Sequence, residues 1–127
     1  MVALEGDLGA GKSTLARACI QFLAGAAIEV PSPTFTLVQT YELPALCVWH
    51  ADLYRLTDPG EVDELGLDEA LDSGALLIEW PDRLPPGRFP DRLTLTLTAP
   101  AADRRTLRAA AGGSAWRSRR ARLLLPL

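Results

Sequence analysis

The chain has 127 residues, 48% of them hydrophobic, and a formal net charge of -3. That suffices for one compact domain with an ordinary core and is too little for two, so residues 1–127 are expected to form a single unit. No run approaches the roughly 18 uninterrupted apolar residues of a membrane span, and Met1 leads straight into an apolar strand instead of a basic, cleavable leader; both point to a cytoplasmic protein.

The small net charge hides an asymmetry. Residues 1–103 carry all 16 acids against 6 basic side chains, a balance of -10, while residues 104–127 hold 7 arginines and no acid, a balance of +7. Such a basic tail reads first as a solvated terminus and second as a patch for RNA or an acidic partner. Of the 13 lysines and arginines, only Lys12 is a lysine. A compact ammonium fits between phosphates where a planar guanidinium fork does not. Cys19 and Cys47 sit in apolar runs without a histidine or third cysteine at ligand spacing, which predicts buried thiols and no disulfide or metal site.

Taken in chain order, residues 1–4 predict a buried strand that runs into Gly6, Gly9 and Gly11. Leu15, Ala16, Cys19, Ile20 and Leu23 recur at three and four, which predicts a helix over 13–23 ended by Gly25. Pro31 and Pro33 stiffen an extended loop, and the runs TFTLVQTY and LCVWHA about Leu43-Pro44 predict a hairpin. Asp58, Pro59 and Glu61 suit the N-cap, N1 and N3 positions of a short helix, with a second around 67–71. The continuous apolar run at 75–80, ALLIEW, predicts a central strand covered on both faces. RLTLTLT, with Leu93, Leu95 and Leu97 on one side, predicts a half-buried strand with residues 106–110 as partner. SAWRSRRARLLL fits a basic helix or a strand equally well.

The stretch GDLGAGKSTL satisfies the phosphate-loop pattern Gly6-x4-Gly11-Lys12-Ser13, and it stands between a strand and a helix as that loop requires. Gly6, Asp7, Leu8, Gly9, Ala10, Gly11, Lys12, Ser13 and Thr14 are therefore the candidate nucleotide-binding segment. In such a loop inward-turned amides surround the β-phosphate, Lys12 bridges β- and γ-phosphates, and the Ser13 hydroxyl ligates Mg2+. The metal side also needs a carboxylate. Glu79, closing a buried strand, is the first candidate, and Asp52 is the second; Glu5 and Asp7 are expected to point along the strand and loop. Thr34 and Thr36, on the stiff loop, are candidate sensors of the γ-phosphate. His50 is expected to act as a structural hydrogen-bonding group that holds Asp52, Trp80 to pack near the nucleotide or core, and Tyr54-Arg55 either to offer a cation near the phosphates or to form a surface ion pair. The loop alone leaves the phosphoryl acceptor open between water and a small molecule. A kinase lid uses several arginines, and residues 14–80 hold only Arg17 and Arg55.

Five blocks in order over residues 2–85, LEGDLGAGKSTL, VPSPTFTLVQTY, HADLYRL, ELGLDEAL and LLIEWPDRLP, resemble the TsaE (YjeE) family of small bacterial ATPases. The resemblance implies an α/β, P-loop NTPase-like three-layer fold with a mixed sheet. It implies ATP/ADP and Mg2+ as cofactors and a weak ATPase stimulated by its partner, the TsaD-TsaB complex. The role implied is threonylcarbamoyl modification of adenosine 37 in tRNAs that read codons beginning with A. Contact with tRNA is implied to be indirect, and direct contact through the arginines stays open. Residue by residue, Lys12 and Ser13 match the family's loop, Thr34 and Thr36 its SPT(F/Y)TL switch, Asp52 its HxDxYR acid, and Glu79-Trp80 its IEW block. Family members carry some tens of residues before the phosphate-loop strand, so an N-terminal segment is expected to be missing here.

Overall fold

The computed structural model describes the backbone of residues 1–33 and 36–123, and side chains up to residue 119. β1 (Val2–Glu5) runs through the glycine loop into α1 (Lys12–Ala24), and β2 (Val38–Glu42) with β3 (Cys47–Asp52) forms the predicted hairpin. A 3₁₀ segment, Pro59–Leu65, and α2 (Asp68–Ser73) lead into β4 (Gly74–Glu79). After a short 3₁₀ turn, Pro81–Arg83, come β5 (Leu93–Ala101), β6 (Arg104–Ala111) and α3 (Ser114–Leu123). The six strands form one sheet in the order β2-β3-β4-β1-β5-β6. It is mixed: β3, β4, β1 and β5 are mutually parallel, and the edge strands β2 and β6 pair antiparallel. The continuous apolar runs take the centre and the alternating ones the flanks, as burial on two faces or one demands.

α1 covers the face that carries Val48 and Leu77, where Ile20, Val30 and Val48 are buried together. The opposite face carries Ala51, Leu76 and Ile78 and is covered by Val62, Leu67 and Ala70 of the 59–73 stretch, with Leu84 and Phe89. The result is the three-layer arrangement expected. β3 and β4 start against each other so tightly that a Cβ on Gly74 would lie 1.9 Å from the Cys47 carbonyl oxygen. Gly25 ends α1 in the left-handed region (φ 69°), its amide donating to the Gln21 and Phe22 carbonyls. The Asp58 carboxylate accepts from the Gly60 amide at 2.9 Å, as an N-cap should, though the turn it opens is 3₁₀ and not α. Among the described residues no helix is long and apolar enough to cross a membrane.

Two expectations change. Cys19 is exposed and Cys47 half-buried, both as free thiols. The line of α1 that meets the sheet is Lys12, Ala16 and Ile20, so Cys19, Phe22 (85% exposed) and Leu23 fall outside it. α1 has more apolar residues than the sheet covers. The basic segment 104–127 does not start as a free tail, because its first residues are the edge strand β6, followed by the helix α3.

Candidate functional site

The glycine loop crosses the carboxyl ends of the parallel strands, the usual ligand position in an open α/β sheet. β1 lies between β4 and β5, so whatever sits on the loop is flanked by the ends of both. Gly6 has φ +145°, and a Cβ there would lie 2.6 Å from the Leu97 carbonyl oxygen of β5. Only glycine passes this point. The Ala10 amide donates to the Asp7 carbonyl at 3.0 Å and closes the turn; the first helical bond, Leu15 amide to Gly11 carbonyl, follows at 2.9 Å. The amides of the first turn of α1 are thereby aimed at the loop, with the positive end of the helix behind them.

Lys12 is buried, with its ammonium folded back onto its own loop, donating to the Gly6 carbonyl and, at 2.9 Å, to the Asp7 carbonyl. The Trp80 ring lies over it, 4.2 Å from ammonium to ring centroid. Trp80 reaches this place because β4 ends at Glu79 and the next residue turns into the left-handed region (φ 59°, ψ 56°). That conformation is rare for a bulky side chain, and such strain concentrates at functional sites. Tyr54 meets Trp80 at 4.9 Å between centroids.

On the flank where the sequence placed the metal-side acids, the Ser13 hydroxyl donates to Glu79 Oε1 at 2.8 Å. Glu79 Oε2 is 2.6 Å from His50 Nε2, and both side chains are buried. His50 was expected to hold Asp52, its neighbour but one along β3; it holds Glu79 instead. His50 and Asp52 share a face of β3, and the register sets Asp52 opposite Glu79, so the imidazole reaches diagonally across to β4. The buried Asp52 carboxylate accepts from the Tyr54 amide at 3.0 Å.

Lys12, Ser13, Asp52, Tyr54, Glu79 and Trp80 thus line one cavity of about 350 Å³ with the loop residues Leu8, Gly9, Gly11 and Thr14. Thr34, the first switch candidate, lies outside the described residues. Thr36 is exposed, its hydroxyl accepting from Gln39 Nε2 at 2.9 Å. Arg55 is exposed at the surface. Glu5 is exposed too and accepts from the Thr96 hydroxyl. On the other flank a cavity of about 500 Å³ opens between Gly9, Thr14, Leu97, the β5-β6 turn at Asp103 and the start of β6 at Arg105. Arg105 Nε donates to the Ala10 carbonyl at 3.1 Å, tying that turn to the loop from 95 residues away. Nothing local in the sequence signals this contact. The His50-Glu79 pair has a signal in hindsight, two polar residues at buried positions of adjacent strands.

The donors fit a hard cation. Among the described residues no three His, Cys, Asp or Glu side chains converge as a ready-made metal cage. Mg2+ does not need one; it usually takes one or two protein oxygens and completes its shell with phosphate and water.

The mixed sheet, the glycine loop between β1 and α1, and the acid at the end of the adjacent β4 define an α/β protein of the phosphate-loop class. The sequence profile of "Threonylcarbamoyl adenosine biosynthesis protein TsaE" matches residues 1–107, and the chain belongs to the TsaE family. It is similar to the tRNA threonylcarbamoyladenosine biosynthesis protein TsaE of Rickettsia bellii, with 49% identity over 80 residues covering 63% of this chain and 56% of that protein. With its Bacillus subtilis counterpart it shares 36% identity over 115 residues, 90% of this chain and 71% of that protein. The crystal structure of Bacillus subtilis YdiB superposes with a TM-score of 0.73 at 31% identity, covering 96% of this chain and 74% of that one. The chain spans about half the length of the rickettsial relatives it matches, 56% for Rickettsia bellii and 46% for Rickettsia conorii.

Proposed function

We propose that this chain is the nucleotide-hydrolysing core of a TsaE protein, binding ATP with Mg2+ and passing the γ-phosphoryl group to water. The cycle would reset the TsaD-TsaB complex between turnovers in the threonylcarbamoyl modification of adenosine 37 of tRNAs that read codons beginning with A. The observation that carries this reading is the bond from Ser13 to Glu79 inside the cavity that Lys12 also enters. It joins a loop hydroxyl to a strand-end acid where a phosphate-bound divalent ion would lie.

Each residue then has a role. Lys12, which donates to the Gly6 and Asp7 carbonyls, would hold the β- and γ-phosphates with the same ammonium. Ser13 and Glu79 hold the metal shell, and Asp52 faces the same space as a second acid. Mg2+ held there would supply charge neutralisation and polarisation at the γ-phosphoryl group. Trp80, over the Lys12 ammonium, and Tyr54, against Trp80, form the wall of the site on the Lys12 side. The nucleoside would leave by the opposite flank, toward Thr14 and the β5-β6 turn. Against a small-molecule kinase, no arginine lines the phosphate-side cavity among the described residues.

The test is ATP hydrolysis by the wild type and by Lys12→Ala, alone and with TsaD-TsaB. Slow hydrolysis that the complex accelerates, and that Lys12→Ala abolishes, is expected. Absence of acceleration would sink the partner-driven reading, and ADP release dependent on a nucleoside or sugar would favour the kinase.

A further inference from the structure

We propose that His50 is a positioning residue for the metal side of this site, holding the Glu79 carboxylate so that Ser13 presents its lone pairs to the ion. The inference rests on the nucleotide-binding reading above.

Glu79 and His50 are 2% and 1% exposed, so the pair is almost wholly withdrawn from bulk water. Buried carboxylate oxygens need donors. Oε1 receives the Ser13 hydroxyl and Oε2 faces His50 Nε2, so the imidazole must carry its proton on Nε2 to make that contact. Ser13 has one hydrogen and two lone pairs. With the hydrogen committed to Glu79, the lone pairs turn outward into the cavity, the orientation a metal ligand needs.

The terminal torsion of a glutamate is broad, so an unrestrained carboxylate rotates easily. With His50 on Oε2, that rotation would break the contact. Outer partners of metal-site groups act in this way, by fixing orientation without touching the ion.

A packing role does not explain the residue as well. His50 Nδ1 is buried with no hydrogen-bond partner among the described residues. A side chain kept only to fill space would be better served by leucine, which buries no orphaned nitrogen. The histidine carries that cost, and its one polar side-chain contact among the described residues is Glu79.

The experiment compares His50→Leu, which removes the donor at similar volume, with His50→Gln, whose amide nitrogen stands near the place of Nε2. His50→Asn, whose amide falls short of Oε2, replaces the leucine variant should that one not fold. ADP affinity is measured in EDTA, and Mn2+ uptake by the ADP complex is titrated by electron paramagnetic resonance. The Mn2+ midpoint is expected to rise ~10-fold or more in His50→Leu, as for other outer partners of metal ligands, and to return within ~3-fold in His50→Gln. Metal-free ADP affinity is expected to stay within about twofold throughout, because the loop amides and Lys12 are untouched. An unchanged midpoint in His50→Leu, no recovery in His50→Gln, or a parallel loss of metal-free ADP affinity would each overturn the proposal, the last by making His50 a packing residue. If the wild type binds no ADP, the nucleotide reading itself fails; if it binds Mn2+-ADP and His50→Leu matches it, only this inference fails.

Discussion

Gly6→Ala tests whether the loop depends on its close passage under β5. The new Cβ would sit 2.6 Å from the Leu97 carbonyl oxygen and 3.1 Å from the Ala10 Cβ. The first distance is about 0.8 Å short of ordinary contact, and its partner is backbone in a parallel strand pair that has no flexible end to move aside. Forcing an L-residue to φ +145° costs about 1–3 kcal/mol, and the crowding adds about 1–3 kcal/mol. A total of about 2–6 kcal/mol, at an m-value of about 2 kcal/mol/M, lowers the urea midpoint by about 1–3 M. Gly9→Ala is the internal control. Gly9 has φ +79° and nothing within 4 Å of its would-be Cβ, so it carries the backbone term of about 1–2 kcal/mol without the clash. Urea melts of both variants, followed by ADP titration of the folded fractions, separate the two contributions. Equal midpoints for Gly6→Ala and Gly9→Ala would refute the close approach of β1 and β5 that seats the loop.

Glu79→Gln keeps the shape of the side chain but removes its charge, so steady-state ATP hydrolysis should fall ~100-fold while ADP affinity in EDTA changes little. Equal loss of both would show that Glu79 shapes the loop more than it serves the metal. Cys19 is exposed, yet the protein around it raises its thiol above the usual range by desolvation. It should therefore be alkylated in the folded protein before Cys47, more slowly at pH 8 than a small-molecule thiol, and faster as pH rises because more thiolate forms. Protection of Cys19 until urea is added would contradict its place on α1. Truncation after Asp103 strips β5 of β6 and should lower the urea midpoint sharply, whereas truncation after Gly113 leaves the sheet whole and should change it little. Salt-sensitive tRNA binding that survives the second cut would point to Arg104, Arg105 and Arg108, and binding that vanishes with it to residues 114–127.

The amino-acid sequence by itself determined the pieces that short-range physics governs. Glycines 6, 9 and 11 beside Lys12 and Ser13 dictate a tight loop whatever surrounds it, Gly25 must end a helix, and an unbroken apolar run such as 75–80 has no stable place but a covered strand. What only the tertiary structure decided are relations between distant segments. The register of β3 against β4 gave His50 to Glu79 rather than Asp52, and the β5-β6 turn carried Arg105 onto the loop. Packing also chose which side of α1 meets the sheet, leaving Cys19 and Phe22 outside, and made 114–123 a helix where periodicity was neutral. Periodicity and turn chemistry are properties of neighbours in the chain, whereas register and the choice of buried face are set by the burial that all the strands and helices achieve together.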